Sequence, residues 1–250
     1  MMTGEPEENP IDLLKETIAD LDKEKQQIIS VVSHDIKAPF NRILALVQLL
    51  EMDNNNLNIE QKQYLDKIHQ VVADGLGMVR NLVDYRNLEY RGIDIHPEEI
   101  NLKTFLEKSV KSFKALADKK NLTFHVKIPK EITIISDTPY LGRVADSLLS
   151  NAVKFSPEGK EIFVELEEVK DHIEIRVRDE ARGFIKEDEN RLFTKFQKLS
   201  NKPTGGESST GLGLYITMLI LNRLGGSIAC KTKEGVGSTF TVTLPRVLKS

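Results

Sequence analysis

His34 is followed at once by Asp35, in the segment SVVSHDIKAPF. An imidazole nitrogen is a nucleophile when the other ring nitrogen keeps its proton, and an adjacent carboxylate can hold that proton in place. The pair is therefore a candidate acceptor for a phosphoryl group. Pro39 lies just beyond it, removes a backbone donor, and is expected to bend the helix there. His69, His96, His125 and His172 have no comparable setting and read as ordinary histidines. Exposed histidines are common, so the His34–Asp35 pair gains meaning only if the chain also carries a phosphoryl donor.

Three later segments supply the chemistry for one. In DSLLSNAVKF, Asn151 and Lys154 stand three apart, on one face of a helix. An amide oxygen can ligate Mg²⁺ and a lysine can meet phosphate. In VRDEARGF, Asp179 closes a strand before a glycine-containing turn, where a buried carboxylate can accept the exocyclic amine of adenine. In TGGESSTGLGLYI, glycines precede a helix, and backbone N–H groups at such a start form an anion site. Taken singly, each has a plainer reading: a solvated helix pair, a strand cap, a turn.

The elements that must position these residues fall into two textures. In the first part, Ile11, Leu14, Ile18, Leu21, Lys25, Ile28 and Val32 alternate spacings of three and four, a heptad seam with one polar break. Val32 takes a seam position, so His34 is expected to point away from the seam toward water. The pattern continues through Ile43, Leu46 and Leu50. MDNNNLN then supplies a turn, and a second helix carries Leu65, Ile68, Val72, Val79 and Leu82 on one face. A two-helix hairpin has too little core alone, so pairing of two copies into a four-helix bundle is expected. The segment YRGIDIHPEEI reads as a linker. Beyond it the sequence predicts a helix from Leu102 to Phe113, strands at LTFHVKI and ITIIS, and a helix from about Thr138 to Lys154. Strands follow at IFVELEEV and HIEIRVRD, then a helix from about Gly211 and strands at SIACKT and STFTVTL. That pattern describes an α+β layer, one mixed sheet with helices on one face. The expected domains are a flexible N-terminus at 1–10, a helical hairpin at 11–90, a linker at 91–100 and an α+β domain at 101–248.

The ordered series SHDIKAPF, LLSNAVKFSP, RDEARGF, RLFTKFQKLS, STGLGLYI and GVGSTFTVTLP resembles the H, N, G1, F and G2 boxes and the ending of bacterial sensor histidine kinases. The resemblance runs from about Ile11 to near the end of the chain. It implies a dimerisation and histidine phosphotransfer domain followed by an ATP-binding domain of the type shared with gyrase. It implies His34 as phospho-acceptor, Asp35 as its base, Asn151 on Mg²⁺ and Asp179 reading adenine. Gly183, Lys154, Thr210, Gly211, Leu212, Gly213 and Leu214 would line the nucleotide. Lys198, after Phe193 and Phe196, would lie on a mobile lid near the γ-phosphate. The implied partners are a second copy of the chain and a response regulator's receiver domain.

Three positions depart from the family pattern. Ser147 stands where a second Asn is usual in the N box, and offers Mg²⁺ one oxygen. Ala181 stands where the G1 box usually has glycine; if that backbone needs a positive φ, alanine costs about 1 kcal/mol or more. Ala38 stands where a Thr or Asn tied to phosphatase activity is common.

Composition excludes some other classes. A net charge of −3 gives no nucleic-acid footprint. Cys230 is the only cysteine and cannot form an internal disulfide. No apolar run approaches the ~18 residues of a membrane span, and no signal peptide is recognisable. A cytoplasmic fragment without direct membrane contact is expected, whose parent could carry membrane segments upstream. Two other readings remain: a conformational-clamp ATPase, which would not need SHDIKAPF, and a catalytically weak dimeric scaffold, to which Ser147 and Ala181 give weight.

Overall fold

The computed structural model describes residues 10–52, 57–91, 94–205, 207 and 209–248; several side chains of the first helix, those of Lys25, Val32 and His34 among them, lie outside that description. The expected flexible start, most of the MDNNNLN turn and two residues of the expected linker also fall outside it. The chain divides into two units, Met1–Arg86 and Asn87–Ser250.

In the first unit, helix α1 spans Pro10–Met52 and α2 spans Ile59–Arg86. The helical assignment of α1 runs on through Pro39 without a break. A reciprocal capping box starts α2: Gln61 N–H donates to Asn58 Oδ1 at 2.8 Å and Asn58 N–H to Gln61 Oε1 at 2.9 Å. The helices pack through Val47 of α1 and Leu65, Val72 and Val79 of α2. The Phe40 ring lies over Gly75, where a Cβ would come within 2.6 Å of it. That close approach explains a helix-interior glycine, which otherwise costs about 0.5–1 kcal/mol. Ile68, expected on the buried face of α2, is exposed. So are the seam residues Ile11, Leu14, Ile18, Leu21 and Ile28, each at least 54% exposed.

The second unit opens with a π-helical turn, Asn87–Arg91. The elements that follow are β1 (Glu98–Asn101), α3 (Leu102–Asp118), β2 (Thr123–Lys127), β3 (Thr133–Ser136) and α4 (Thr138–Phe155). Next come β4 (Glu161–Val169), β5 (His172–Asp179), the single turn α5 (Lys186–Glu189), α6 (Gly213–Arg223), β6 (Ser227–Lys233) and β7 (Gly237–Pro245). Polar caps fix the helix starts: Asn101 Oδ1 accepts from Thr104 N–H, and Asp137 Oδ1 from Tyr140 N–H.

The main sheet has the order β2-β4-β5-β7-β6, with β2 parallel to β4 and the other pairs antiparallel. Alternation places Ile162, Val164 and Leu166 of β4, Ile173, Ile175 and Val177 of β5, and Phe240, Val242 and Leu244 of β7 on the buried face. Leu106 and Val110 of α3, Leu141, Val144 and Leu148 of α4, and Ile216 and Ile220 of α6 complete that core. The expected mixed sheet is present, with one correction. The strand read at ITIIS is β3, and it lies outside that sheet. It pairs antiparallel with β1, and Ile135 also exchanges backbone bonds with Arg246 and Leu248 of the C-terminal tail. The segment read as linker is likewise not all linker, because Glu98–Ile100 form most of β1. The glycine-rich helix starts at Gly213, two residues later than expected.

Candidate active site

The strand period decides where Asp179 points. It follows Val177 by two on β5 and so shares the buried face. Its register partner on β7 is Ser238. Asp179 Oδ1 accepts from Ala181 N–H at 3.0 Å and from Ser238 N–H at 3.2 Å. Asp179 is only 6% exposed. Burial penalises the charge and raises its pKa to about 6, against the opposing pull of the two N–H groups and Arg178. Cys230 lies close enough to feel that carboxylate; burial first, then Asp179 and Glu189, push its thiol up to about 12.

Glycines bring the turn after β5 against the β6–β7 hairpin. Gly183 has φ +71°, and a Cβ there would lie 2.2 Å from the Lys233 carbonyl oxygen. Gly237 has φ +139°, and its Cβ would lie 2.1 Å from the Asp179 carbonyl oxygen. Ala181 is not among the residues with positive φ, so its side chain carries no such strain. The departure at Ala181 is absorbed because the left-handed residue of this turn is Gly183. Thr232 Oγ1 accepts from Phe184 N–H at 2.8 Å and lies 3.0 Å from Ser238 Oγ. Phe184 meets Phe240 edge to face.

On α4, Ser147, Asn151 and Lys154 recur at helical spacing and are partly exposed, flanked by buried Leu148, Leu149, Ala152 and Val153. Gly213 meets this face: a Cβ on it would lie 3.5 Å from Ser147 Oγ. The glycine loop and the α4 face therefore adjoin at Ser147. The cap of α6, Leu212, is buried and makes no side-chain cap bond, which leaves the first-turn N–H groups of α6 without an intrahelical partner. Thr210 Oγ1 accepts from Leu212 N–H at 3.2 Å. Gly211, at φ +68°, packs so tightly on Gln197 that a Cβ would lie 2.5–2.8 Å from its backbone atoms.

Between α5 and α6 a long irregular segment holds Phe193, Phe196 and Lys198. Lys198 is exposed, and Phe196 is exposed with φ +61°. Sequence reasoning missed what anchors this segment. Ser200 N–H donates to the buried Asp188 at 2.8 Å, and the Ser200 hydroxyl and N–H hold that carboxyl below its ordinary pKa. Asn201 Nδ2 donates to the Gly183 carbonyl at 2.5 Å. Ser238 was likewise missed as the second donor to Asp179, although it sits in the quoted segment GVGSTFTVTLP. His34 and Asp35 lie on α1, in the other unit. The His34 side chain is outside the described residues, and Asp35 is exposed.

Among the described residues no group of three or more His, Cys, Asp or Glu could hold a metal. The Asn151 amide and Ser147 hydroxyl fit Mg²⁺, which keeps several waters and takes much of its coordination from substrate phosphates. No described helix is long and apolar enough to cross a membrane.

The model of the His Kinase A (phospho-acceptor) domain matches residues 24–91, and that of the Histidine kinase-, DNA gyrase B-, and HSP90-like ATPase matches residues 136–248. The chain belongs to the histidine kinase family. This histidine kinase core is 29% identical over 227 residues to the aerobic respiration control sensor protein ArcB of Escherichia coli, covering 89% of this chain and 29% of that protein. Against the sensor histidine kinase YcbM of Bacillus subtilis it is 25% identical, covering 92% of this chain and 74% of the relative. The chain thus spans less than a third of ArcB. In fold it resembles full-length ShkA in complex with AMPPNP, at TM-score 0.69 and 22% identity over 90% of this chain and 46% of that one. It also resembles the Acinetobacter baumannii histidine kinase AdeS, at TM-score 0.58 and 21% identity over 85% of this chain and 98% of that one.

Proposed function

We propose that this kinase core binds ATP and transfers its γ-phosphoryl group to His34, then to an aspartate of a response regulator's receiver domain. The observation that carries the reading is Asp179, a carboxylate held on the core face by two backbone donors that both fall on Oδ1. The second carboxylate oxygen is left to accept the adenine amine, a preference that guanine, with a carbonyl there, does not satisfy. The AMPPNP named for the ShkA structure supports nucleotide binding by this fold. Asn151 and Ser147 would hold Mg²⁺, which would neutralise charge on the phosphates. Lys154, the α6 N-terminus with Gly211–Leu214, and Lys198 would meet phosphate oxygens. Thr210 holds the Leu212 amide in line, and Gly183 shapes the turn after Asp179.

In the transfer itself, Asp35 holds the proton on one imidazole nitrogen of His34. The other nitrogen forms a bond to the γ-phosphorus as the bond to the bridging oxygen breaks, and ADP leaves. The exposed α1 seam supports a homodimer, because an apolar heptad stripe needs a partner to leave water. The reading places the core in the cytoplasm, where the receiver partner and ATP are found.

The scaffold reading drew on Ser147 and Ala181. Ala181 no longer supports it, since its backbone is unstrained. The test is incubation with γ-labelled ATP and Mg²⁺. Acid-labile label on the wild type, absent from His34→Gln, is expected; an unlabelled wild type would favour the scaffold.

A further inference from the structure

Lys120 lies in the turn between α3 and β2, outside every segment with a recognisable role. Its backbone is fixed: Lys120 N–H donates to Ala117 O at 3.0 Å, and Gly159 N–H donates to Lys120 O at 3.0 Å. Next to it, Asn121 (φ +52°) donates from Nδ2 to Glu158 Oε1 at 2.7 Å. The turn is thus stitched to the turn that follows α4.

From that base the Lys120 ammonium reaches three acceptors. Nζ lies 2.6 Å from Val153 O, 3.3 Å from Lys154 O and 2.6 Å from Thr204 Oγ1. The first two are carbonyls of the last turn of α4, where the helix dipole favours a cation. The third belongs to the segment between α5 and α6. Thr204 reaches the same helix end by itself: its N–H donates to Lys154 O at 3.1 Å, and Oγ1 lies 3.2 Å from Lys154 O and 3.0 Å from Ser156 O. Glu207 adds its charge from the same segment. Partial burial lowers the pKa of Lys120, as expected for an ammonium that has exchanged water for protein oxygens.

We propose that Lys120 and Thr204 form a clasp that holds the lid segment onto the end of α4 and so positions it for nucleotide. This rests on the nucleotide-binding reading above. The lid is tied near its start by Asp188 to Ser200, and at its far end Gly211 packs on Gln197. Between those points Asn201 ties the segment to the Gly183 carbonyl, and Thr204 ties it to the helix that carries Ser147, Asn151 and Lys154. A lid already seated there does not need to be ordered when ATP arrives. An unclasped lid lowers the population of competent chains, and apparent affinity falls by the same factor. Lys120 and Thr204 are positioning residues: they act through the lid and the α4 end.

The test is calorimetric ATP binding to the whole chain. Thr204→Val keeps shape and the backbone bond but removes the hydroxyl; Thr204→Ser keeps the hydroxyl; Lys120→Met removes the ammonium. Thr204→Val and Lys120→Met are each expected to weaken ATP binding roughly tenfold, with the double variant losing less than the product of the two, since they share the Lys120–Thr204 bond. Thr204→Ser is expected within about twofold of wild type. Hydrogen exchange of the nucleotide-free lid should be faster in both clasp-breaking variants. Thr204 is exposed, so Thr204→Val tests the clasp even if Lys120→Met fails to fold. Unchanged affinity in Thr204→Val, or losses that multiply in the double variant, would overturn the clasp. A wild type without measurable ATP affinity would overturn the nucleotide reading and the clasp with it. Wild-type binding with unaltered variants would overturn the clasp alone.

Discussion

Asp179 places a charge where the fold alone would prefer none. Its pKa is raised from 3.8 to about 6. The native state therefore binds a proton more tightly than the unfolded chain, and stability falls as pH rises from about 4 through about 6. Removing the charge should reverse the sign of its effect on the two tasks of the residue. In Asp179→Asn the amide oxygen still accepts from Ala181 and Ser238. The nucleotide-free chain should then be more stable than wild type at pH 7.5, by on the order of 2 kcal/mol, and the gain should vanish near pH 4. ATP affinity should fall by about 1.5–3 kcal/mol, roughly tenfold to a hundredfold. Urea melts at the two pH values and calorimetry with ATP read both. Unchanged affinity would make Asp179 a strand cap. The burial of this residue was legible because a period-two strand leads into it, so HIEIRVRD already aims its last residue at the core. Ala181 was legible only as a question, because sequence does not say which residue of a turn takes the positive φ.

At the scale of elements, the end of β5 is held to the β6–β7 hairpin by backbone approaches that only glycine permits. Gly237→Ala would drive a methyl to 2.1 Å from the Asp179 carbonyl oxygen, and the nearest atoms are all backbone of Asp179 and Glu180, with no flexible side-chain end to yield. It should cost more than the ~1–2 kcal/mol of backbone strain and also weaken ATP binding, because Asp179 must shift. Thermal melts and calorimetry on that variant check it; stability lost without loss of affinity would show the turn and the carboxylate to be independent. In the hairpin, Gly75→Ala gains up to about 1 kcal/mol of helix propensity but collides with the Phe40 ring. It should destabilise wild type and stabilise a Phe40→Ala background, as read by helical circular dichroism against temperature. Sheet membership was not legible. LTFHVKI and ITIIS both read as short strands, yet one pairs with β4 and the other with β1, a choice made by contacts distant in sequence. The clasp was invisible for the same reason: Lys120 and Thr204 are 84 residues apart.

For the whole molecule, the exposed α1 seam sets the expectation. A stripe formed by Ile11, Leu14, Ile18, Leu21 and Ile28 is exposed, and under the proposed function a second copy of the hairpin would bury it in a four-helix bundle. Leu14→Glu with Leu21→Glu should yield a monomer by light scattering, while a fragment beginning near His96 should be a folded monomer that still binds ATP. A fragment that dimerises would move the interface into the second unit. Heptad spacing makes the expectation of a partner legible from residue types alone, whereas which His34 a bound nucleotide would reach depends on contacts that no spacing encodes.

The central claim is that a phosphoryl group travels from nucleotide bound at Asp179 to His34. It is tested most directly by mixing a chain without the acceptor, His34→Gln, with a chain of weakened nucleotide binding, Asp179→Asn, with wild type and each variant alone as references, in γ-labelled ATP and Mg²⁺. Wild type should acquire label that acid removes and alkali does not; His34→Gln alone should acquire none, and Asp179→Asn alone should acquire it slowly at subsaturating ATP and approach wild type as ATP is raised. In the mixture, any label should sit only on the chain that retains His34. Label on the His34→Gln chain at the wild-type level, or an Asp179→Asn chain labelled as fast as wild type at low ATP, would contradict the account.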